Sequence, residues 1–379
     1  MSPLRLARRA LRALVRRGRA IGPVRHVVEG ELARAAKATS APTATEMPTF
    51  TDSRGVEHHL DPTLRDRLKP NWRVMCDPEQ MAAQPSDKTL ADRVRKATKA
   101  ATEVERILAL TSGTTVTGRI LEVGCYDGSA AFELSRRPGT TVIASDLARY
   151  YLVQQPGRPE GEALAAEEAA LARLRERART AAGRPAGSVT FVEDDVTSST
   201  LEPGSFGLIV SFEVLEHLAR PNDAFAAMAR LLRPGGVMYH DYNPFFSLIG
   251  GHSLATLDLP WGHARLRDDD VERYLREFRP TEVEQALRFY RDSLNRMTLA
   301  DLDDAIASAG LESVVVIPWH QRSLLGDATP QVLAEVRALY PRVTLEDLLA
   351  TFVAVVARKP EAAGSATLEQ LPGQPVEPG

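Results

Sequence analysis

The sequence predicts an α/β fold built on a doubly wound, mostly parallel sheet. Three observations favour this fold. A short apolar run, Ile120 to Val123, leads into a glycine turn and then into a helical segment that starts at Ser129. A second apolar run ends in Asp146, 22 residues after Gly124, and an acid at about that distance is placed to bind ribose hydroxyls in a doubly wound sheet. Further apolar runs of strand length follow, separated by turns and helical segments.

The glycine turn indicates the kind of ligand. The pattern Gly124-x-x-x-Gly128 lets a ligand approach the backbone at a helix N-terminus. It lacks the third glycine of the dinucleotide pattern G-x-G-x-x-G. Glu122 stands two residues before the first glycine, where it would repel a pyrophosphate. The turn therefore suits a ligand that carries positive charge and no phosphate.

Three more strands complete the series. They are the run from Val189 to Val196 with its acid Asp195, the run from Phe206 to Phe212, and Val237 to His240 after a Pro-Gly-Gly turn. In this order and spacing the motifs resemble those of the class I S-adenosylmethionine (SAM)-dependent methyltransferases, whose first motif is E-x-G-x-G-x-G. The resemblance implies a seven-stranded, mostly parallel sheet with an N-terminal helical extension and insertions. It also implies an enzyme that uses SAM, a cationic sulfonium.

The resemblance also implies which residues bind SAM. We expect the methionine end at the glycine turn, the ribose at the acid of the second strand, and the adenine at the acid of the third strand. Tyr126 replaces the usual middle glycine, and its side chain fits if it points away from the methionine moiety. The expected cofactor-binding residues are Glu122, Gly124, Tyr126, Gly128, Asp146, Asp195, Val196 and Phe212.

The composition narrows the class of protein. The chain has 379 residues, 44% of them hydrophobic, and a net charge of −3, which gives no general attraction to nucleic acid. Its two cysteines, Cys76 and Cys125, exclude a disulfide framework and fit a reducing cytoplasm. No run reaches the roughly 18 apolar residues that a membrane span needs. We therefore expect a cytoplasmic protein, and the sequence does not indicate its oligomeric state.

The chain divides into four predicted regions. Residues 1–48 form a basic arm and linker, with ten Arg or Lys against two Glu up to Ser40. Residues 1–40 either make peripheral contact with an anionic membrane or form a solvated, partly disordered arm, and the second interpretation is favoured. Residues 49–111 form an N-terminal helical lid region, and residues 112–358 form the methyltransferase domain. Residues 359–379 form a disordered tail.

A candidate metal motif follows the fourth strand. Glu213, Glu216 and His217 have the spacing of one helical face, and a downstream histidine would complete a set of ligands for a divalent ion. The pattern resembles the metal-binding motif of small-RNA 2′-O-methyltransferases and of ubiquinone-pathway O-methyltransferases. Many metal-free relatives also contain Leu-Glu-His-Leu, where it lines the pocket or caps the helix, and this second interpretation is favoured.

The insertion at 241–299 is expected to bind the acceptor. It contains His252, Trp261 and His263 among Gly, Pro and aromatic residues. With His217, the two histidines are the catalytic candidates, since a hydroxyl acceptor has to lose a proton. Trp261 is predicted to line the acceptor pocket, and the competing interpretation places it in the core.

The sequence therefore predicts a SAM-dependent methyltransferase that O-methylates a small-molecule, saccharide or glycolipid acceptor. Two alternatives stay open. The first is a metal-assisted RNA 2′-O-methyltransferase, against which the acidic balance of the core argues. The second is a non-catalytic binding protein with the SAM fold, against which Glu122, Asp146 and Asp195 argue.

Overall fold

A seven-stranded sheet forms the centre of the protein. The computed structural model describes residues 48–77, 80, 83–147, 161–321 and 326–361. The predicted basic arm, up to residue 47, and the predicted tail from residue 362 lie outside the described residues. No helix among the described residues is long and apolar enough to span a membrane.

The predicted doubly wound, mostly parallel sheet is confirmed. The strand order is β5-β4-β3-β6-β7-β9-β8; the first five run parallel, and β9 pairs antiparallel with β7 and β8. A separate hairpin, β1 with β2, precedes the sheet. The strands are β1 (Thr49–Thr51), β2 (Glu57–His59), β3 (Gly118–Val123), β4 (Thr140–Asp146), β5 (Val189–Glu193), β6 (Phe206–Phe212), β7 (Leu232–Tyr242), β8 (Glu312–His320) and β9 (Ala350–Arg358).

Helices cover the sheet and build a further layer. Their bounds are α1 (Leu64–Leu68), α2 (Trp72–Met75), α3 (Asp87–Thr111), α4 (Ser129–Leu134), α5 (Glu162–Ala181), α6 (Pro221–Leu231), α7 (His252–Ala255), α8 (Gly262–Arg265), α9 (Asp268–Phe278), α10 (Val283–Asp292), α11 (Leu299–Ser308), α12 (Pro330–Leu339) and α13 (Leu345–Leu349). Short 3₁₀ turns occupy Val196–Ser198 and Leu215–His217.

The central strands form because both of their faces are buried. In β3, Ile120 packs with residues of α3 and α4, whereas Leu121 packs with residues of α6 and α11. In β4 and β6, successive side chains also pack alternately against the two helical layers. Burial of both faces explains why these strands are nearly continuous apolar runs. Two helical layers therefore enclose the sheet and leave its carboxyl edge for the site.

The insertion differs from the predicted acceptor loop. It folds into α7, α8, α9 and α10, which enclose a second apolar core with Phe50 of β1 and Val336 of α12. Trp261 is fully buried there, and its indole N–H donates to the carbonyl of Phe246 at 3.0 Å. The expectation that Trp261 lines the acceptor pocket was wrong, because its ring fills the interior of the insertion.

The N-terminal segment is fastened to this second core by charged and polar contacts. The amide and hydroxyl of Ser53 donate to the carboxylate of Asp270 at 2.9 and 2.7 Å. The buried guanidinium of Arg65 binds the carbonyl of Ser253 and pairs with Glu282 at 2.7 Å. Residues 49–69 therefore belong structurally to the insertion, far from them in the sequence.

Truncation of Trp261 should destabilise the fold. We expect Trp261→Ala to lower the free energy of unfolding by about 3–5 kcal/mol, since it empties a packed site and leaves a carbonyl unpaired. Chemical denaturation measures this loss. Trp319→Ala is the control, because Trp319 is 36% exposed on β8 and should lose much less. A stable Trp261→Ala variant that loses only acceptor turnover would contradict this and indicate that Trp261 lines the acceptor pocket.

Candidate active site

The glycine turn between β3 and α4 requires glycine at both of its predicted positions. Gly124 and Gly128 have φ of 73° and 77°, in the left-handed region that glycine adopts readily. A Cβ on Gly124 would lie 2.4 Å from Val214 Cγ2, and one on Gly128 would lie 2.5 Å from Phe191 Cζ. The backbone is thus packed closely here, as expected where a ligand approaches it.

Tyr126 lies within this turn, and Asp146, which is predicted to bind the ribose, lies next to it. The amide of Tyr126 donates to Asp146 Oδ2 at 2.6 Å, which ties the turn to the end of β4. The Tyr126 ring packs with the cluster of Leu90, Phe132 and Leu174. The side chain that replaces the usual glycine therefore lies against the helical layer of α3 and α5.

Glu122 has a buried carboxylate oxygen beside the turn that makes no hydrogen bond. It is 3% exposed, and its Oε2 has no hydrogen-bond partner. Burial, together with the nearby Asp127 and Asp146, raises the pKa of Glu122 well above its usual value. A cationic ligand would restore the charged form of this carboxyl, so the donor set fits SAM, with its sulfonium and amino groups.

The remaining predicted SAM residues lie along the same sheet edge. Asp195 Oδ1 accepts the amide of Thr197 at 2.9 Å and so caps the turn that begins at Val196, which is buried. Phe212 ends β6, and its ring lies 6.1 Å from that of Tyr239. Asp195 therefore has a capping role in addition to its predicted contact with adenine.

A second polar cluster forms between the turn after β6 and α7. One ligand atom from each of Glu216, His217 and His252 lies within 4.8 Å of the others. His217 Nδ1 lies 2.6 Å from the carbonyl of Ser293, so this nitrogen carries the proton and the lone pair belongs to Nε2. Buried Glu216 Oε2 and His252 Nε2 have no hydrogen-bond partner. Carboxylate and imidazole donors in this arrangement fit a divalent cation.

The predicted ligand set needs one correction. Glu213 is exposed and has a left-handed φ of 55°, so the chain turns before the short 3₁₀ turn of Glu216 and His217. The assumed helical face does not form, and His252 takes the third place in the cluster.

His263 also lies elsewhere than predicted. It is 1% exposed within α8, and its Nε2 lies 2.8 Å from the carbonyl of Phe245. Burial lowers the pKa of His263 to about 4. The packed insertion encloses the ring, so the geometry does not support the expected contact of His263 with the acceptor as a base, which stays a prediction.

Two residues that the sequence analysis missed support the cluster. Asn295 donates its amide to the carbonyl of Glu216 at 2.8 Å and its side chain to the carbonyl of Leu215 at 2.6 Å. Lys69, after α1, faces the cluster: burial lowers its pKa, whereas Glu213 and Glu216 act in the opposite direction. No local pattern indicates these contacts, because each joins distant parts of the chain.

Comparison with known proteins agrees with the fold. A SAM-type turn and acidic strand ends on this sheet define a class I SAM-dependent methyltransferase. A family model described as "Methyltransferase domain" matches residues 92–316. The chain therefore belongs to this family of methyltransferases.

Individual relatives match over shorter stretches or at low identity. The ubiquinone biosynthesis O-methyltransferase of Burkholderia orbicola is 33% identical over 93 residues, 23% of this chain, and that of Burkholderia cenocepacia is 34% identical over 88 residues, 22% of this chain. The matches cover 36% and 34% of those proteins, so the chain spans about a third of the length of these curated relatives. The solved structure of Haemonchus contortus phosphoethanolamine N-methyltransferase 2 in complex with SAM is 16% identical and aligns over 68% of this chain and 52% of that chain, with a TM-score of 0.40.

Substitution of Asp146 tests the expected ribose contact. We expect Asp146→Ala to weaken SAM binding by about 1.5–3 kcal/mol, the range for hydrogen bonds to a charged group. Asp146→Asn should lose less, because its amide oxygen still accepts from Tyr126. Titration calorimetry with SAM measures both, with exposed Asp223→Ala as the control. An unchanged affinity in Asp146→Ala would refute the contact.

Asp241 should make stability depend on pH. Burial, with Glu213 and Glu103 adding, raises its pKa from 3.8 to about 8. The folded protein holds this proton more tightly than the unfolded chain, so the contribution of Asp241 to stability is greatest below pH 3.8 and falls as pH rises to about 8. Asp241→Asn should therefore gain melting temperature relative to the wild type between pH 5 and pH 8 (roughly the window in which the wild-type contribution declines). A pH-independent difference, as expected for Asp223→Asn, would contradict this.

Proposed function

We propose that the protein transfers the methyl group of SAM to a hydroxyl oxygen of a small-molecule acceptor, and that Glu216, His217 and His252 hold a divalent cation at the acceptor side. The observation that carries the proposal is the pair of buried, unpartnered lone-pair atoms, Glu216 Oε2 and His252 Nε2, beside the oriented ring of His217. A buried polar atom without a partner is costly, and its retention suggests a bound ligand.

The chain prepares these ligands before any cation binds. Asn243 donates its backbone amide to Glu216 Oε1 at 3.1 Å and so directs the carboxylate. Burial lowers the pKa of both His217 and His252, which keeps the two imidazoles neutral and able to coordinate. A bound divalent cation would stabilise negative charge on an acceptor oxygen.

Several features support a small acceptor with hydroxyl groups. The rings of His217 and His252 lie 6.1 and 5.6 Å from that of Phe289, which gives the polar cluster a nonpolar wall. The relatives in the two Burkholderia species are named as O-methyltransferases of ubiquinone biosynthesis. The saccharide hypothesis relied partly on Trp261 and His263, and both are buried in the core. A small hydroxylated molecule is therefore the better supported acceptor.

The same cluster supports one other mechanism. His252 Nε2 is buried and unpartnered, and it lies 4.0 Å from Glu216 Oε1. Without a cation, this nitrogen can take the proton of the acceptor hydroxyl as a general base. The two mechanisms differ in their response to chelation.

Removal of the metal distinguishes them. We expect EDTA to abolish transfer, and Glu216→Gln to abolish metal binding without weakening SAM binding, because it removes an anionic ligand. Metal content by mass spectrometry, calorimetry with SAM and release of S-adenosylhomocysteine measure these effects.

Glu213→Gln is the matched control for metal content, because Glu213 lies outside the cluster and should keep the metal. Full turnover by metal-free protein would refute the metal and leave His252 as the base. Loss of metal from Glu213→Gln would instead show that Glu213 is a metal ligand, as the sequence predicts.

A further inference from the structure

The SAM turn contains a strained residue. Tyr126 has φ of 44°, a left-handed conformation that a residue with a side chain adopts only at a cost in free energy. Such a conformation persists when surrounding contacts hold it. The amide of Tyr126 donates to Asp146 Oδ2 at 2.6 Å. Other residues contact its carbonyl and its ring.

Arg175 and Arg93 provide those contacts from two different helices. Arg175, in α5, donates from Nε to the carbonyl of Tyr126 at 2.9 Å, and its Nη2 lies 3.7 Å from Cys125 Sγ. Arg93, in α3, pairs with Asp127 Oδ2 at 2.8 Å, and its guanidinium lies 5.2 Å from the centre of the Tyr126 ring. Each guanidinium therefore contacts the turn on one side.

Asp127 adds a link to the following helix. Its Oδ1 accepts the amide of Ser129 at 2.9 Å, the first residue of α4, while its Oδ2 pairs with Arg93. The carboxylate is 4% exposed, so the ion pair is poorly screened on that side. Arg93 is thus linked through Asp127 to the start of α4, whereas Arg175 contacts Cys125 and Tyr126.

We propose that Arg93 and Arg175 are positioning residues of the SAM site, which hold the strained turn at Tyr126 in its binding conformation. Helices α3 and α5 lie outside the sheet, and through these arginines they determine SAM affinity. A glycine at position 126 would adopt the positive φ without strain. In this chain the contacts of the two arginines offset the strain of the tyrosine that stands there. The inference rests on the SAM-dependent activity and is independent of the acceptor and the metal.

A purely electrostatic role is the competing explanation for Arg175. Its positive charge acts on Glu122 and Asp146, where it favours the ionised carboxyls. Loss of Arg175 would then weaken SAM binding whatever residue occupies position 126. A glycine at position 126 separates the two explanations, because glycine adopts a positive φ without strain and does not alter the charge.

The test is calorimetry with SAM on single and double variants. Arg175→Ala should raise the dissociation constant by about tenfold, as expected when the turn loses a contact that offsets its strain. Tyr126→Gly combined with Arg175→Ala should restore most of the affinity. Arg93→Ala should have a smaller effect, because Arg93 is partly exposed. Arg173→Ala, two residues earlier on the exposed face of α5, is the matched control.

Two results would overturn the proposal. One is wild-type SAM affinity in Arg175→Ala. The other is an Arg175→Ala defect that Tyr126→Gly does not restore, which would assign Arg175 to electrostatics. Melting temperatures identify any variant that fails to fold. If Arg175→Ala is such a variant, Arg93→Ala with and without Tyr126→Gly provides the same comparison.

Discussion

The close packing of Gly124 against Val214 connects the two parts of the active site. Gly124 begins the turn that follows β3, and Val214 follows the end of β6, so their contact fixes the distance between the cofactor turn and the turn that carries Glu216 and His217. A side chain at position 124 would clash with the side chain of Val214. Methyl transfer needs the acceptor in line with the methyl group, and under the proposed function this contact would help to maintain that alignment.

Strain in the backbone is concentrated around the same edge. Among the described residues, four non-glycine residues have positive φ: Tyr126, Glu213, His252 and Trp261. Tyr126 lies in the cofactor turn, Glu213 precedes the polar cluster in the chain, and His252 belongs to that cluster. Glu122 and Glu216, both buried with one unpartnered oxygen, add unfavourable electrostatics. Strained conformations and perturbed pKa values of this kind cluster at functional sites, and here cationic ligands would relieve the electrostatic part.

The sheet was predictable because local sequence determines it. Strands β3, β4 and β6 are continuous apolar runs, and the predicted runs from Phe206 to Phe212 and from Val237 to His240 match β6 and lie within β7. The insertion was misread because Gly, Pro and aromatic residues are typical both of an open loop and of short, tightly packed helices. Lys69, Arg175 and Asn295 could not be found in the same way, since their contacts join residues far apart in the chain.

The acceptor side that we propose depends on the packing of the second core. His252 begins α7, whose Ser253 carbonyl is bound by Arg65, while Arg65 also pairs with Glu282 just before α10. The N-terminal segment therefore holds the short helix that presents His252 to Glu216. Rigid packing of this kind holds a ligand set in one geometry before a ligand binds. None of the described residues of the second core belongs to the central sheet or to the glycine turn. If the proposed acceptor side is correct, substitutions in the N-terminal segment and the insertion can change it while the SAM turn stays unchanged.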